Sequence, residues 1–470
     1  MRRKTEHKPV AYLLAYSLIK FALKIFFQKI DIRHGQNVPD GKPVVLVANH
    51  PNSIMDALVL GVVTKRRVNY IAHAGLFRNR VFGWFLRRCG VIPVYRRVDD
   101  PDKMDRNIGM FEACTNALEN NEAIGIFPEG VSDMVRKVKQ IKTGTARIVL
   151  ESEQKNNFEL GVVLIPVGLH FYSRSHFRSR VLVNFGEPLD LRPFFAAYKE
   201  NEQDGVHRLT HGVQSAMEML TVNIHTEELD TFVRKIEVIY KDELKTISPV
   251  DKVSQEKAFR EDFVISRAIA DCVTFYLKNK PERVSELQEM LAVYNRKLRR
   301  LHLRDAMLKE THSQKEIWRN VITAYLQASF GFLPAMYGVI NNFIPYRIAE
   351  FCGRKFLYER TKILSALLIG GGLAFLFFYT LQTMLVYKFG GLMWAAFYFF
   401  SLPLLGFYAL AYIAALREQK EKISFSFYLF TSKHLFNRMK RERRQLIAHL
   451  DKLRAEYEVH TSIESQKQAV

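Results

Sequence analysis

Two long stretches near the carboxyl end of the chain contain no charged side chain: residues 363–387 and residues 389–416. Each is longer than the roughly 20 apolar residues with which a helix crosses a bilayer. Only Lys388 separates them, and the glycine pair that follows it suits a turn. The sequence therefore predicts a hairpin of two transmembrane helices over residues 363–416. Two buried core helices are the alternative, but core helices rarely run for about 25 residues without a charge.

Basic residues flank this hairpin on both sides, whereas its turn carries a single lysine. Because basic flanks stay in the cytoplasm, the sequence predicts an integral membrane protein whose soluble part and both termini are cytoplasmic. The flanking cations are Arg354, Lys355, Arg360 and Lys362 before the hairpin and Arg417, Lys420 and Lys422 after it.

Residues 321–346 are also free of charge, but Pro334 and Gly338 interrupt the pattern, and Gln327, Asn341 and Asn342 are polar. If this segment crossed the bilayer, the basic loop of residues 347–362 would lie outside, against the charge rule. The sequence thus favours a re-entrant or interfacial segment over residues 321–346, and a third membrane span is the alternative.

The first 30 residues are predicted to contain a basic amphipathic helix that lies at the membrane interface. Its apolar residues recur at helical spacing, and Lys20 and Lys24 lie between them. These apolar residues are Leu13, Leu14, Leu18, Phe21, Ala22, Ile25 and Phe26. A signal peptide is not indicated, because the segment has neither an unbroken apolar core nor a small-residue cleavage site.

Residues 31–240 alternate short apolar runs with longer helical patterns, which favours an α/β fold with a mixed, largely parallel sheet. Such sheets place their sites at the carboxyl ends of the strands. The strands are predicted at residues 43–48, 68–72, 91–94, 123–127, 162–167 and 181–185, and the helices at residues 56–63, 82–89, 106–120 and 143–153.

The remaining soluble segments are predicted to be helical. Residues 241–320 are expected to be a helical connector, with two helices between residues 254 and 303 and Pro281 at the start of the second. Residues 417–470 form a basic tail that is expected to be cytoplasmic. Its helix over residues 436–458, with Leu446, Leu450 and Leu453 as an apolar stripe, is interpreted as a solvated helix or a short coiled coil.

The charge balance points to an anionic partner. Lys and Arg number 69 against 48 Asp and Glu, a formal charge of +21. A nucleic acid is not favoured, because no basic motif is interleaved with aromatic residues and the cations concentrate at the membrane flanks. The four cysteines are far apart in the sequence, so neither a disulfide framework nor a metal site is expected.

The first motif that carries chemistry is VANHPNSIMD, residues 47–56, directly after a predicted strand. His50 is a natural general base at neutral pH, and Asp56 is a candidate to hold its other ring nitrogen. Six residues of regular helix would leave the two side chains about 120° apart, so contact needs a bend. Pro51, Asn52 and Ser53 can supply it as a turn.

Three further motifs also lie at predicted strand ends. IFPEGVSD, residues 126–133, offers Glu129, Gly130 and Ser132 at a tight turn whose backbone amides can receive an anion. GVIPVYRR, residues 90–97, ends in Arg96 and Arg97, which suit bidentate phosphate binding. IPVG, residues 165–168, either lines a pocket or packs in the core; packing is favoured.

The four motifs in this order resemble those of the glycerolipid acyltransferases, the PlsC-like phosphate acyltransferases. The resemblance covers about residues 30–240. It implies that His50 and Asp56 are catalytic and that Arg96, with Arg97 assisting, binds a substrate phosphate. It also implies that Glu129, Gly130, Ser132 and Lys142 belong to the substrate-binding site.

Two departures from the family pattern bear on the substrate. Five residues, rather than four, lie between His50 and Asp56, and Val131 and Ser132 stand where the family has Thr-Arg. The role of the missing arginine could pass to Arg136 or Lys142. Both departures are similar to the subgroup that acylates glycerol-3-phosphate or dihydroxyacetone phosphate.

The resemblance implies a membrane-bound O-acyltransferase of phospholipid biosynthesis that needs no cofactor. It would move a fatty acyl group from acyl-CoA or acyl carrier protein to glycerol-3-phosphate or 1-acylglycerol-3-phosphate. Its expected partners are these substrates and the phospholipid bilayer. No serine or cysteine lies in a nucleophile motif, so direct transfer is favoured, with Ser53 as the one contrary candidate. A catalytically impaired, membrane-anchored lipid-binding or scaffold protein is the alternative function.

Overall fold

A computed structural model describes residues 9–96, 101–132, 136–172, 177–224, 226–247, 255–301, 304–309, 314–355, 362–431 and 433–468. The chain divides into two compact units. Unit 1 contains Met1–Asn223 and Ala349–Gly372, and unit 2 contains Ile224–Ile348 and Leu373–Val470.

Unit 1 is built on a seven-stranded sheet of order β1-β7-β6-β2-β5-β3-β4. The central strands β6, β2, β5 and β3 and the edge strand β4 run parallel, whereas β7 is antiparallel to β6 and parallel to β1. The strands are β1 (Lys29–Arg33), β2 (Val44–Ala48), β3 (Val68–His73), β4 (Ile92–Val94), β5 (Ala123–Ile126), β6 (Val163–Phe171) and β7 (Arg180–Phe185). The predicted mixed, mostly parallel sheet is confirmed.

Helices cover both faces of this sheet. The helices of unit 1 are α1 (Val10–Phe26), α2 (Ile54–Val63), α3 (Arg80–Arg88), α4 (Ile108–Glu119), α5 (Gly144–Lys155), α6 (Arg192–Glu200) and α7 (Glu202–Met219). Strand β2 shows how the two faces are filled: Val45 and Val47 pack with α4, α5 and α7, whereas Val44 and Leu46 pack with α1 and α2. Every residue of β2 is buried, as expected for a strand covered on both faces.

The strand missing from the sequence prediction is β1. Its sequence KIDIR alternates charged and apolar residues over only five positions, which gives no continuous apolar run. It is placed at the sheet edge by parallel pairing with β7, from Lys29 opposite Arg180 to Arg33 opposite Asn184. The first segment of unit 1 ends at Asn223, and the next helix belongs to unit 2.

The described residues of unit 2 form helices and no strand. They are α8 (Glu227–Ile247), α9 (Gln255–Asn279), α10 (Pro281–Arg300), α11 (Gln314–Lys355), α12 (Ile363–Thr431) and α13 (Lys433–Gln468); the end of α11 and the start of α12 lie in unit 1. Pro281 occupies the first turn of α10, as the sequence predicts.

Helix α13 corrects the interpretation of the tail as a solvated helix. Leu446, Leu450 and Leu453 are buried where α13 packs against α8, α9 and α10. A buried ion pair also joins Arg443 of α13 to Asp305, with Nε 3.0 Å from Oδ1. The partner helices of this leucine stripe lie about 150–200 residues earlier in the chain, so local periodicity does not reveal them.

Helix α11 runs unbroken through Pro334 and Pro345, so the expected interruption at Pro334 is wrong at the level of secondary structure. A proline removes one hydrogen bond and bends a helix without necessarily ending it. Polar groups of α11 bond to α12: Tyr379 Oη donates to Asn342 Oδ1 at 2.6 Å, and Tyr398 Oη donates to Asn341 Oδ1 at 2.6 Å.

Within the described residues, one helical segment is long and apolar enough to cross a membrane by length and composition, Ile363–Arg417. It is interrupted at Gly391, whose φ of 75° and ψ of −176° are not helical. The rings of Tyr379 and Phe399 are 6.5 Å apart, although twenty residues of straight helix would separate them by about 30 Å. The segment is therefore not one straight helix.

Candidate active site

His50 and Asp56 meet at the carboxyl end of β2. His50 Nδ1 lies 2.9 Å from Asp56 Oδ2, which also accepts the backbone N–H of Asn52 at 2.7 Å. Asp56 is fully buried, and the side chain of His50 is 19% exposed. With Nδ1–H donated to the carboxylate, Nε2 is left as the ring's proton acceptor.

The predicted bend is what brings the two side chains together. Ser53 has a φ of 52°, a conformation that costs a non-glycine residue about 1–3 kcal/mol and occurs mostly at functional sites. It reverses the chain just before α2 starts at Ile54, so Asp56 in the first helical turn faces back to His50. Ser53 precedes the helix, but its hydroxyl makes no capping hydrogen bond. The extra residue between His50 and Asp56 therefore does not separate them.

An aromatic stack supports the imidazole. The ring of Phe127, just after β5, lies 4.3 Å from that of His50 at an interplanar angle of 19°. The ring of Tyr70 in β3 also stacks with Phe127, at a centroid distance of 6.2 Å and an interplanar angle of 7°. The ring of Tyr70 fits here because Gly125 has no side chain: an added Cβ would lie 2.5 Å from the tyrosine ring. Neither aromatic ring was assigned a role from the sequence, because their pairing depends on the order of β2, β5 and β3.

Glu129 lies beside this pair in the turn after β5. Its Oε1 accepts the backbone N–H of His50 at 3.2 Å. Burial raises the pKa of Glu129 to about 7, against the opposing effect of backbone donors from His50 and Lys139. A carboxyl group with this pKa titrates in the range where most enzymes work.

Two cations converge on Gly130. Arg96 Nη1 donates to the Gly130 carbonyl at 2.8 Å, and a Cβ on Gly130 would lie 2.8 Å from Lys142 Nζ. Gly130 also has a φ of 72°, a conformation that favours glycine. Replacing it would thus strain the turn and displace Lys142. This contact favours Lys142 over the buried Arg136 as the substitute for the family's missing arginine.

Two predicted substrate residues have no described contact with this group, for different reasons. Arg97 lies outside the described residues. Ser132 is half-buried, and no hydrogen bond links it to the other site residues in the described part of the chain. The fourth motif is structural: Ile165 is fully buried in β6, and a Cβ on Gly168 would collide with the carbonyl of Leu220.

The site thus combines a histidine with a buried carboxylate partner, a second carboxyl group and two cations. All lie at the carboxyl end of the sheet. Such a group can accept a proton from a hydroxyl and hold an anionic substituent nearby. Across residues 9–468, in the ranges that the structure describes, no three His, Cys, Asp or Glu side chains are grouped as metal ligands would be.

Residues 29–170, which include all of these groups, match the protein family described as Acyltransferase. Over this segment the chain is similar to acyltransferases. The chain is 27% identical over 196 residues to glycerol-3-phosphate O-acyltransferase 1 of Saccharomyces cerevisiae, an alignment that covers 41% of this chain and 24% of the yeast protein.

Bacterial proteins are similar to this chain as well. The chain is 25% identical over 181 residues to 1-acyl-sn-glycerol-3-phosphate acyltransferase of Streptococcus pneumoniae, covering 37% of this chain and 60% of that protein. The crystal structure of the 1-acyl-sn-glycerophosphate acyltransferase PlsC from Thermotoga maritima is 19% identical, over 46% of this chain and 84% of that one, but the TM-score of 0.33 is too low to inform the fold. The chain spans about a quarter of the length of its yeast relatives.

Proposed function

We propose that this chain is a membrane-bound O-acyltransferase that moves a fatty acyl group from an acyl thioester to a hydroxyl of a glycerol phosphate. The observation that carries the proposal is the 2.9 Å contact between His50 Nδ1 and Asp56 Oδ2, beside two cations at Gly130. The relatives named above act, by their names, on glycerol-3-phosphate and on 1-acyl-sn-glycerol-3-phosphate, which supports a phosphorylated acceptor.

In the proposed mechanism, His50 Nε2 takes the proton of the acceptor hydroxyl while the oxygen attacks the thioester carbonyl carbon. A tetrahedral intermediate forms and collapses as the C–S bond breaks, and the imidazolium gives its proton to the departing thiolate, so the thiol leaves and neutral His50 is restored. The buried Asp56 carboxylate stabilises that imidazolium and fixes the tautomer with Nε2 free. No covalent acyl-enzyme is required.

The acceptor phosphate would be held by Arg96 and Lys142, whose cationic groups both lie near Gly130. Arg97 would assist, as the family resemblance implies, and Glu129 and Ser132 would contact the acceptor. The proton on Glu129 then decides whether this carboxyl group donates to the substrate or accepts from it, because its pKa is about 7.

The membrane-bound state is supported by the apolar segment Ile363–Arg417 and by the basic amphipathic α1. We propose that the two halves of this segment, on either side of Gly391, form a transmembrane hairpin with both termini in the cytoplasm. The catalytic domain would then work at the cytoplasmic surface on acyl-CoA or acyl carrier protein, with no cofactor.

The test is acyl transfer in washed membranes that contain the wild type, His50→Ala or, as a matched control, His207→Ala at an exposed site on α7. A labelled long-chain acyl-CoA is offered with glycerol-3-phosphate, dihydroxyacetone phosphate or 1-acylglycerol-3-phosphate. We expect transfer to one acceptor that falls by at least about 100-fold in His50→Ala and is unchanged in His207→Ala.

The contrary outcome is no transfer above the His50→Ala background with any acceptor, for either acyl-CoA or acyl carrier protein as donor. That result would favour the alternative, a membrane-anchored lipid-binding or scaffold protein without catalysis. Transfer that is equal in the wild type and His50→Ala would instead remove His50 from the mechanism.

A further inference from the structure

Helix α3 exposes an apolar surface that no element of the described chain covers. Val81 is 77% exposed and Trp84 is 56% exposed, and Phe82 and the nearby Leu76 are also open to solvent. On the opposite side of the helix, Gly83 packs against the backbone of Phe77, where an added Cβ would lie 2.9 Å from the carbonyl oxygen. The close packing at Gly83 fixes which side of α3 points outward.

Helix α1 presents a second apolar surface of the same kind. Its carboxyl-terminal half is anchored in the core of unit 1 by Leu23 and Phe26. Its amino-terminal half is exposed along one side, with Leu14 and Leu18 each more than two-thirds open to solvent. The other exposed apolar residues of α1 are Val10, Leu13 and Phe21.

Arg67 connects the two helices. Its guanidinium lies 5.7 Å from the ring centroid of Tyr12 in α1, and its Nη2 donates to the Arg88 carbonyl at the end of α3 at 3.3 Å. The guanidinium of Arg88 in turn stacks on the Trp84 ring at 5.5 Å. We call the exposed apolar residues of α1 and α3, with Arg67, Arg87 and Arg88, the α1–α3 face.

The charged side chains of the segments that form this face are all positive. Neither α1 nor residues 74–96 contain an aspartate or a glutamate, whereas they contain Lys20, Lys24, Arg78, Arg80, Arg87, Arg88 and Arg96. Exposed apolar residues with arginines that stack on tryptophan suit the boundary between acyl chains and anionic headgroups. An acidic protein surface would complement the charge, but it would not take up an aromatic and aliphatic stripe.

The position of the face also fits a bilayer. Leu364, at the start of the apolar helix α12, is buried in the same core cluster as Leu23 and Phe26 of α1. The apolar segment Ile363–Arg417 therefore begins beside α1 within unit 1. We infer that the α1–α3 face docks on an anionic lipid surface, with Trp84 and Val81 at the headgroup level. The inference rests on the proposed membrane anchoring of the chain, but not on acyl transfer.

The experiment measures where Trp84 sits in the full chain. Trp84, Trp318 and Trp394 are its three tryptophans. Trp318→Phe/Trp394→Phe leaves Trp84 as the reporter, and Trp84→Phe/Trp318→Phe leaves Trp394 in the apolar segment. The matched control is Trp84→Phe/Trp318→Phe/Trp394→Phe/His207→Trp, with its reporter on the opposite face of the sheet. Each variant is reconstituted in vesicles with about 30% anionic lipid, and quenching by spin-labelled lipids and aqueous iodide is recorded.

We expect Trp84 to be quenched most by a spin label near the headgroup and to be shielded from iodide by about threefold relative to the His207→Trp reporter. Quenching of Trp84 fluorescence by the spin-labelled lipids should fall by about half in vesicles without anionic lipid, and also in the variant Arg87→Glu/Arg88→Glu. Trp394 should be quenched by a label deep in the acyl chains.

Two results would overturn the inference. If iodide quenches Trp84 as strongly as the His207→Trp reporter while Trp394 is quenched by the deep label, the chain is anchored but the α1–α3 face stays in water. If Trp84 is shielded from iodide but not quenched by lipid labels, another protein surface or a second copy of the chain covers the face instead. A Trp394 that is not quenched by lipid would contradict the proposed anchoring itself.

Discussion

The two units each contain a cluster of hydrogen-bonded polar side chains, and the clusters differ in kind. In unit 1, His50, Asp56 and Glu129 are titratable, and the histidine keeps one ring nitrogen without a protein hydrogen bond among the described residues. In unit 2, the cluster around Asn341 and Asn342 consists of neutral amides and hydroxyls that bond to one another.

The unit 2 cluster ties helices together. Asn342 Nδ2 donates to Gly338 O at 2.8 Å within α11 and lies 3.2 Å from Leu402 O in α12, while its Oδ1 accepts from Tyr379. Neutral groups that satisfy each other can be buried among apolar helices without the cost of a charge. The unit 1 cluster contains ionisable groups and leaves His50 Nε2 able to accept a proton at the carboxyl end of the sheet, as acid–base chemistry requires. A cluster of polar side chains therefore indicates a catalytic site only where its groups can exchange protons.

The largest expected effect is that of Asp56→Asn. The asparagine side chain keeps the size of the aspartate, but it cannot stabilise the imidazolium and it favours the wrong tautomer of His50. We expect kcat for acyl transfer to fall by about 10³–10⁴-fold while the melting temperature in detergent stays close to that of the wild type. Asp204→Asn on α7, where the partly exposed carboxylate pairs with Arg208 of the same helix, is the matched control. A loss of less than tenfold would place Asp56 outside the catalytic group.

The second prediction concerns the pH dependence of stability that Glu129 adds to unit 1. The pKa of Glu129 is raised from about 4.5 to about 7 in the folded chain. The stability that its protonated form adds is therefore fully present below pH 4.5 and is lost as the pH rises through 7. Relative to Glu129→Gln, the wild type should therefore lose about 2–3 kcal/mol of unfolding free energy between pH 4.5 and 8. Thermal unfolding at several pH values measures this difference, with the exposed Glu200→Gln as control. A difference that does not change with pH would contradict the raised pKa.

A smaller effect is expected in unit 2, and on stability alone. Asn342→Leu removes three hydrogen bonds but no charge, so the melting temperature should fall by about 2–5 °C, while kcat stays within about twofold of the wild type. Thr380→Val is the control, because its hydroxyl bonds only to Leu376 O within its own helix. A large loss of kcat without a loss of stability would show that the unit 2 cluster takes part in the chemistry.

The smallest effect is expected for the aromatic support of the imidazole. Phe127→Leu keeps an apolar side chain but removes the stacked ring, so kcat should fall by about 3–10-fold with little change in KM. Tyr70→Phe retains the stack and removes a buried hydroxyl that makes no hydrogen bond, so it should match the wild type. Equal kcat values for the two variants would mean that Phe127 does not hold His50 in place.

The sequence predicts much of unit 1 because its strands are short, continuous apolar runs between helical patterns. It also shows that His50 and Asp56 need a bend to meet. It does not show that the strained Ser53 makes that bend, since a positive φ at serine depends on the surrounding contacts. The stack of His50, Phe127 and Tyr70 is equally hidden, because it requires the pairing of β2 with β5 and of β5 with β3.

Unit 2 is less predictable for a related reason. The apolar composition of residues 363–416 indicates membrane helices, yet it says nothing about the asparagines of α11 that bond to them. The leucine stripe of α13 likewise looks like a free amphipathic helix until α8, α9 and α10 are placed around it. Both features depend on contacts between distant segments, and local patterns do not encode the identity of a distant partner.

The central claim is that His50 and Asp56 act as one catalytic group, and a double-mutant cycle on the rate of acyl transfer tests it most directly. Initial rates are measured for the wild type, His50→Gln, Asp56→Asn and the double variant, at equal amounts of folded protein in membranes. Because Asp56 acts only through His50, His50→Gln and the double variant should fall to the same residual rate, about 10³-fold or more below the wild type. If the two losses multiply instead, each residue contributes separately, and the account of one coupled group is contradicted.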